Sequence, residues 1–568
     1  MPNHQDNSFS DVVARIRRWT HQGAKARRTS WRLPTEAPPE GAPPPGRRPR
    51  TTLEATIRPV GSGRYRRLRW ADGEPHLVRT DLGAVPGEDR AATRRSVLYF
   101  AHHTDVHVCD AQSPARLEGG ETFGWFNPGA DGGHRPQETC TTQVLDQLVV
   151  ATNEVATSPL TGAPMAWCAQ TGDNTDNRTV GELAWWLGVL AGEVVTPNTG
   201  APDRYEGVQR SGWRGAWHPD DPSGDVYGRA GFPRLPGFLD AAVGPFQATG
   251  LDVPWLAVFG NHDVLYQGTF GERVARLGEL LAASSAKPRG AFGLVRSNVH
   301  ARLAGTELDR WQRWGRGPGV LHVTPDPEAR RSVALDAFLQ KLVDAGGHGY
   351  TQEHVDQHTS WWSRPEGDAV QVIGLDTCNH RQGSDGSLGP RQTAWLEQEL
   401  QRHHRRYRNP SGTWVQSGGA DRLVVLLSHH NSWTMDNLHD DPFDPGPRTS
   451  GADLVAMLAR FPNVVLWVNG HSHEHKVLVH RGSAPGSGCW EVDTASGIDF
   501  AQQGRTFEIV DNGDGTLSIL ATVLDHAAPP AVDHRQDAAW TTAELASISR
   551  ELAANDNRWI DPMELLGD

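Results

Sequence analysis

The sequence predicts an α/β fold, and three observations support this prediction. Short, continuously apolar runs of about five residues recur along the chain, a pattern that suits strands buried on both faces of a sheet. Helical periodicity appears between the runs, as in residues 139–153, where Val144, Leu145, Leu148 and Val149 form an apolar stripe. Polar motifs follow the runs, and layered α/β domains place their chemistry at the ends of their strands.

The predicted strands share strong apolarity and end close to polar residues. They are residues 97–101, 164–168, 255–259, 423–427 and 464–468. The motifs that follow them are Asp105-Val106-His107, Gly172-Asp173-Asn174-Thr175-Asp176, Gly260-Asn261-His262-Asp263, Ser428-His429-His430 and Gly470-His471-Ser472-His473. Because the carboxyl ends of parallel strands meet at one edge of a sheet, the motifs are predicted to share one rim.

The residue types in these motifs indicate a metal centre. Carboxylates, an amide oxygen and imidazoles from five separate loops can converge on a pair of cations. Two cations about 3.5–4 Å apart clamp the attacking and leaving oxygens of a phosphoester displacement. A single Asp-x-His occurs by chance in many proteins, whereas five such elements in this order leave little room for coincidence. The set therefore predicts a two-metal phosphoester hydrolase.

The motif order D-x-H, G-D-x-x-D, G-N-H-D, a lone H and G-H-x-H resembles the pattern of the calcineurin-like metallophosphoesterase superfamily. The resemblance spans about residues 95–530, and it includes a strand, loop and helix at residues 375–377, 383–388 and 392–397. It implies a four-layered α/β/β/α sandwich with two facing mixed sheets.

The same resemblance implies a role for each motif. The first metal would be held by Asp105, His107, Asp173 and His473, and the second by Asp173, Asn261, His429 and His471. Asp173 would bridge the two ions, because a shared carboxylate offsets part of the repulsion between nearby cations. Mixed oxygen and nitrogen donors suit Mn, Fe and Zn, and the identity of the two di- or trivalent ions stays open.

The resemblance also implies how the reaction proceeds. A water or hydroxide shared by the metals would attack phosphorus, so no phosphoenzyme is needed. His262 is the candidate for donating a hydrogen bond or proton to the phosphoryl or leaving oxygen, and Asp263 for orienting its ring. Asp176 is expected to hydrogen-bond a ligand rather than to bind metal.

Three further residues are candidates for contacting the substrate. Arg116 follows the first motif and could pair with a phosphate, and tying down its own loop is an equal alternative. His430 lies beside His429 but matches no ligand position of the family. His348 is a candidate for lining the cleft.

The sequence is compatible with three functions. A metal-dependent hydrolase of phosphodiesters is favoured, since a metal pair that activates its own nucleophile tolerates a singly charged diester. A phosphomonoesterase or nucleotidase with the same site is the first alternative. A non-catalytic binding or scaffold relative is the second, and the full set of ligands argues against it.

Length and motif spacing predict one large domain with insertions. The 568 residues could hold several domains, but motifs spread from residue 105 to residue 473 must meet in one site. The predicted parts are a disordered basic, Pro-rich tail at 1–50, a β extension at 51–93, a catalytic domain at 94–530 with insertions at about 196–243 and 268–349, and a tail with a helix at 531–568. A hairpin over residues 507–523 closes the catalytic domain.

Charge and composition limit the kinds of partner and the cellular location that the sequence predicts. A net charge of -13 argues against an extended nucleic-acid surface, so a small phosphoester is the expected substrate. No apolar run suits a membrane span or a secretory signal, and the five cysteines lack a C-x-x-C, so a cytoplasmic protein with reduced thiols is expected. The sequence predicts no particular oligomeric state.

Overall fold

The structure, a computed structural model, describes residues 48–85, 87, 90–116, 118–119, 133–271, 278–290, 319–484, 486–534 and 539–556. Most of the predicted basic tail, and residues 272–277 and 291–318 of the second predicted insertion, lie outside the described residues.

The strands are numbered in chain order. They are β1 (Ala55–Val60), β2 (Arg67–Asp72), β3 (Arg95–His103), β4 (Cys168–Thr171), β5 (Val194–Val195), β6 (Phe246–Gln247), β7 (Trp255–Val258), β8 (Ala286–Pro288), β9 (Val320–His322), β10 (Trp362–Glu366), β11 (Val370–Gly374), β12 (Arg406–Arg408), β13 (Trp414–Gln416), β14 (Leu423–Leu427), β15 (Val464–Asn469), β16 (Lys476–Arg481), β17 (Gly488–Asp493), β18 (Gln503–Asp511) and β19 (Leu517–Asp525).

The helices with both ends described are numbered in the same way. They are α1 (Arg90–Thr93), α2 (Thr141–Glu154), α3 (Val180–Ala191), α4 (Val226–Arg229), α5 (Phe238–Ala242), α6 (Asn261–Val264), α7 (Leu335–Asp344), α8 (Gln352–Asp356), α9 (Pro390–Arg402), α10 (Gly451–Leu458) and α11 (Thr542–Asn555).

Two mixed sheets form the centre of the molecule. One has five strands in the order β19-β18-β3-β4-β7, in which β3, β4 and β7 are parallel and β18 is antiparallel to both of its neighbours. The other has six strands in the order β10-β11-β14-β15-β17-β16, with four parallel strands between two antiparallel edges. The predicted α/β class with mixed sheets is confirmed.

Residues from both sheets contribute to one hydrophobic core. Phe507 of the five-stranded sheet and Val425 of the six-stranded sheet belong to the same buried cluster. The neighbouring residue Val424 points to the opposite face of β14, where it packs with Leu396 of α9 and Leu454 of α10. Helices therefore cover the outer face of the six-stranded sheet, and the full four-layer order stays a prediction.

The second strand begins later in the chain than the sequence predicted. The apolar run at residues 164–168 predicted it, but β4 spans Cys168–Thr171. Pro164 lacks the backbone N–H that a strand ladder uses. Gln170 and Thr171 are polar yet fully buried, and Gln170 hydrogen-bonds the ring of His103 over 3.3 Å. Apolarity alone therefore placed this strand too early.

The beginning and the end of the described chain pack against each other. The β1–β2 hairpin, within the predicted β extension, contributes Ile57 and Leu68 to a cluster with Ala554 of α11. The buried carboxylate of Glu551 accepts hydrogen bonds from Tyr65 Oη at 2.8 Å and Arg67 Nε at 2.7 Å. The predicted domain boundaries themselves stay predictions.

We expect Glu551→Ala to lower the free energy of unfolding by about 2–3 kcal/mol, because it leaves Tyr65, Arg67 and His534 without their shared acceptor. The partial exposure of Arg67 keeps the effect below that of a fully buried pair. Denaturant titration measures the change. Glu54→Ala removes a more exposed carboxylate paired with Arg50 and serves as the control. Equal losses in the two variants would contradict the prediction.

Neither membrane insertion nor disulfide bonding is visible in the described residues. Helices α2 and α11 have 14 residues each, and no described helix combines the length and apolarity needed to cross a bilayer. All five cysteines are buried and unpaired with one another.

Candidate metal centre

The strand order brings all five motifs to one place. Asp105, Asp173 and Asn261 follow the parallel strands β3, β4 and β7 of the five-stranded sheet, and His429 and His471 follow β14 and β15 of the six-stranded sheet. Each residue lies two or three positions beyond the end of its strand, at the rim where α/β folds place their chemistry.

The backbone at these residues is held in an unusual conformation. Asp105, His107, Asp173, His471 and His473 have φ angles between 43° and 69°, the left-handed region that non-glycine residues rarely adopt. Backbone hydrogen bonds stabilise it, for example from Asp105 N to the Gly172 carbonyl at 3.1 Å and from His107 N to the Asp173 carbonyl at 2.9 Å. Such strain persists where the surroundings over-determine the geometry, typically at functional sites.

One part of the site joins Asp105, His107 and His473. Their donor atoms lie within 4.8 Å of one another. His473 Nε2 is 3.3 Å from Asp105 Oδ1, and His107 Nε2 is 3.6 Å from Asp173 Oδ2. The structure thus brings together the four residues predicted for the first metal.

The other part of the site gathers around His429. Its Nε2 atom lies 3.3 Å from Asp173 Oδ2, 3.0 Å from Asn261 Oδ1 and 3.2 Å from His471 Nδ1. Asp173 therefore contacts both parts of the site. These are the four residues predicted for the second metal.

The donor atoms fit a pair of cations. Asp105 Oδ1 and His107 Nε2 are buried without a hydrogen-bond partner among the described residues. Buried polar atoms are rarely left unpaired unless an ion or water completes them. Carboxylate and amide oxygens together with imidazole nitrogens are donors that Mn, Fe and Zn accept.

The electrostatics of the site favour added positive charge. Burial raises the pKa of Asp173, but His429, His262 and His107 together outweigh burial and hold that pKa well below its usual range. Burial lowers the pKa of His473, but Asp105 and Asp499 outweigh it and raise the pKa to about 10. The carboxylates therefore remain ionised and attract a cation, whether proton or metal.

His262 is oriented by a backbone group. Its Nδ1–H donates to the Asp176 carbonyl at 2.6 Å, and its ring centroid lies 4.5 Å from that of His107. The carboxylate of Asp263 instead accepts hydrogen bonds from Gly260 N, Thr175 N and the Asn174 side chain. These hydrogen bonds of Asp263 join the loop at residues 174–175 to the loop at residue 260, and none of them reaches the His262 ring. A catalytic role for Asp263 stays a prediction.

Arg116 ties down the loops of the site. It is 3% exposed, forms an ion pair with Asp176 and donates to Glu138 Oε2 at 2.7 Å. Asp176 in turn places Oδ1 3.3 Å from His107 Nδ1, as expected for a residue that supports a ligand. The engagement of the guanidinium by carboxylates favours the alternative of a loop-holding arginine, and the phosphate contact of Arg116 stays a prediction.

The two further histidines predicted for substrate have other contacts. His348 stacks on Trp255 with ring centroids 3.2 Å apart, at the start of β7 and so at the opposite end of that strand from Asn261. His430 is fully buried, with Nδ1 2.8 Å from Thr377 Oγ1 and Nε2 2.8 Å from the Ser384 carbonyl, although its ring lies near His471. Packing and loop hydrogen bonds engage both rings, and a ring nitrogen of His430 also lies within 4.8 Å of donor atoms of His429 and His471. The substrate contacts of His348 and His430 stay predictions.

Two residues outside the motifs complete the site. Asp499 Oδ2 lies 2.6 Å from His473 Nδ1, and Arg135 Nε donates to Asp499 Oδ1 at 2.9 Å. Sequence analysis missed both. Neither belongs to a spaced motif, and the two residues are 364 positions apart.

Gly260 is required by close packing. A Cβ at this position would lie 2.2 Å from both the backbone nitrogen and the Oδ1 atom of Asp173. We expect Gly260→Ala to displace Asp173 and to reduce metal content and activity together, with a stability loss of about 1–3 kcal/mol from overpacking. Metal analysis of the purified variant measures this. Gly224→Ala, which meets open space, is the control, and full metal content in Gly260→Ala would contradict the expectation.

Comparison with known proteins gives similarity only at the level of solved structures. No family model matches the chain, and no curated protein matches it. A dimetal phosphatase from Danio rerio is 10% identical, with 76% of this chain and 100% of that chain covered and a TM-score of 0.27. The calcineurin-like phosphoesterase YfkN from Bacillus subtilis is 10% identical, with 76% and 91% covered and a TM-score of 0.24. A sulfate thiohydrolase from Thermus thermophilus is 11% identical, with 78% covered and a TM-score of 0.28, and the chain spans 58% of its length.

Proposed function

We propose that this protein is a metal-dependent hydrolase that uses two metal ions to cleave phosphoesters. The observation that carries the proposal is the convergence of seven oxygen and nitrogen donor side chains from five strand ends, with Asp173 between the other six. Asp105, His107, Asp173 and His473 would hold one ion, and Asp173, Asn261, His429 and His471 the other. When bound, such a pair of Mn, Fe or Zn ions supplies Lewis acidity and a nucleophile at neutral pH.

The protein itself would contribute to the reaction through His262, which would be held in a fixed orientation and would donate a proton. His262 N donates to Asp173 Oδ1 at 2.8 Å, which couples the position of His262 to that of the bridging carboxylate. Because Nδ1–H is committed to the Asp176 carbonyl, only Nε2 is free to face a substrate. When protonated, Nε2 donates to the phosphoryl or leaving oxygen. His262 is partly exposed.

The charges of the site favour phosphodiesters over phosphomonoesters. A monoester carries a second negative charge that needs a further cationic partner. Arg116, the arginine predicted for that role, is engaged by Asp176 and Glu138. A singly charged diester also meets less repulsion from Asp105 and Asp173. The substrate class, a cytoplasmic location and the metal identity are proposals that rest on the sequence.

Hydrolysis assays on metal-reconstituted protein test the proposal. The protein is stripped with a chelator, reloaded with Mn²⁺, Fe²⁺ or Zn²⁺, and assayed on bis(p-nitrophenyl) phosphate and p-nitrophenyl phosphate. We expect metal-dependent turnover, faster on the diester. Faster turnover of the monoester would favour a phosphatase or nucleotidase. Binding of two ions without hydrolysis of either compound, of nucleotides or of phospholipid headgroups would favour a scaffold.

A further inference from the structure

We propose that Asp499, held by Arg135, is the positioning residue for the metal ligand His473. The inference rests on the proposed function, since it concerns one of the two metal positions. His473 Nδ1 lies 2.6 Å from Asp499 Oδ2, while Nε2 of the same ring lies 3.3 Å from Asp105 Oδ1.

The hydrogen bond to Asp499 selects one tautomer of His473. A carboxylate oxygen only accepts, so Nδ1 carries the ring proton whenever the imidazole is neutral, as it must be to serve as a metal ligand. Nε2 then presents its lone pair to the site, on the side of Asp105 Oδ1, which has no hydrogen-bond partner among the described residues. A metal ligand needs that lone pair at the correct nitrogen and in a fixed direction.

The carboxylate of Asp499 is itself fixed. Arg135 donates from Nε to Oδ1 at 2.9 Å and from Nη2 to Oδ2 at 3.4 Å, and Asp499 N donates to Ser496 Oγ at 2.9 Å. The side chain of Arg135 is 15% exposed. The pair therefore forms a rigid support behind the imidazole.

The ring of His429 has a weaker hydrogen-bond acceptor than the ring of His473 has. Its Nδ1 lies 2.9 Å from the Thr171 backbone carbonyl, a neutral acceptor. A carboxylate polarises the imidazole more strongly and raises its basicity as a ligand. Removal of the Asp499 carboxylate should therefore weaken the ion that His473 binds and leave the ion at His429 unchanged.

Metal-binding measurements on two variants test this role. Asp499→Ala removes the acceptor, and Asp499→Asn keeps an oxygen of the same shape without the charge. Asp240→Ala is the matched control, because the side chain of Asp240 is 38% exposed and that of Asp499 is 34% exposed. Asp240 also accepts hydrogen bonds from an arginine, through both Nη atoms of Arg210, but no imidazole of the described residues is bonded to it. Equilibrium dialysis with Mn²⁺ and metal analysis give the number of ions bound and the Kd of each.

We expect Asp499→Ala to bind one of the two ions about 10–100-fold more weakly and the other as the wild type does. Asp499→Asn should be weakened by a smaller factor, and Asp240→Ala should match the wild type. Wild-type affinity for both ions in Asp499→Ala would overturn the inference while leaving the proposed function intact. If that variant does not fold, Asp499→Asn decides by the same criterion. Absence of Mn²⁺, Fe²⁺ and Zn²⁺ binding by the wild type would instead overturn the proposed function.

Discussion

Asp173→Asn is expected to abolish hydrolysis and to lower the occupancy of both metal positions. Asp173 Oδ2 is 3.6 Å from His107 Nε2 and 3.3 Å from His429 Nε2, so this one carboxylate serves both parts of the site. An amide removes the negative charge that offsets the repulsion between two cations. Loss of the several kcal/mol that a metal pair contributes to transition-state stabilisation corresponds to a rate decrease of about a thousandfold or more.

Metal analysis and turnover, measured on the same preparation, check this expectation. Asp525→Asn is the control, because it neutralises another buried carboxylate, which accepts from Gln503 at 2.8 Å and contacts none of the seven donors. The control should keep two ions and wild-type activity. An Asp173→Asn protein that retains both ions at full occupancy would show that this carboxylate is no bridge.

His262→Ala is expected to slow turnover while both metals stay bound. The ring of His262 donates to the Asp176 carbonyl, and His262 is predicted to be a proton donor although one of its ring nitrogens lies within 4.8 Å of donor atoms of His107 and Asp173. Loss of a general acid typically lowers the rate by about 10²–10⁴-fold. The comparison of this variant with Asp173→Asn therefore separates chemistry from metal binding.

The same two measurements apply to this variant. His358→Ala removes an exposed histidine that contacts Asp336, and it controls for the loss of an imidazole as such. Loss of an ion from His262→Ala would mean that His262 is a ligand. Unchanged turnover with both ions bound would remove it from the reaction.

Apolar runs predicted the strands well where the buried strand is apolar. Residues 423–427 and Leu423–Leu427 of β14 coincide, because that strand packs against hydrophobic groups on both faces. Gln170 and Thr171 could not be assigned to a strand in this way, since buried polar residues carry no apolar signal. Their burial depends on partners from β3 that only the folded sheet provides.

Motif spacing predicted the donor side chains but not the groups that orient them. Asp263 stands next to His262 in the sequence, yet the backbone carbonyl of Asp176 holds the ring. Every residue has a carbonyl, so no residue type reveals this contact. Asp499 and Arg135 are equally invisible, because their pairing depends on how distant segments meet in the folded chain. Local sequence therefore predicts which atoms can bind metal, and tertiary structure decides which groups support them.

The pairing of β18 with β3 has a consequence for biosynthesis. Arg505 pairs with His102, so one edge of β3 has no partner strand until the ribosome has synthesised roughly 400 further residues. At the usual 5–20 residues per second this takes roughly 20–80 s. An unpaired strand edge is a site of aggregation during that time. Slow expression at low temperature, or together with chaperones that bind nascent chains, should therefore raise the yield of folded protein.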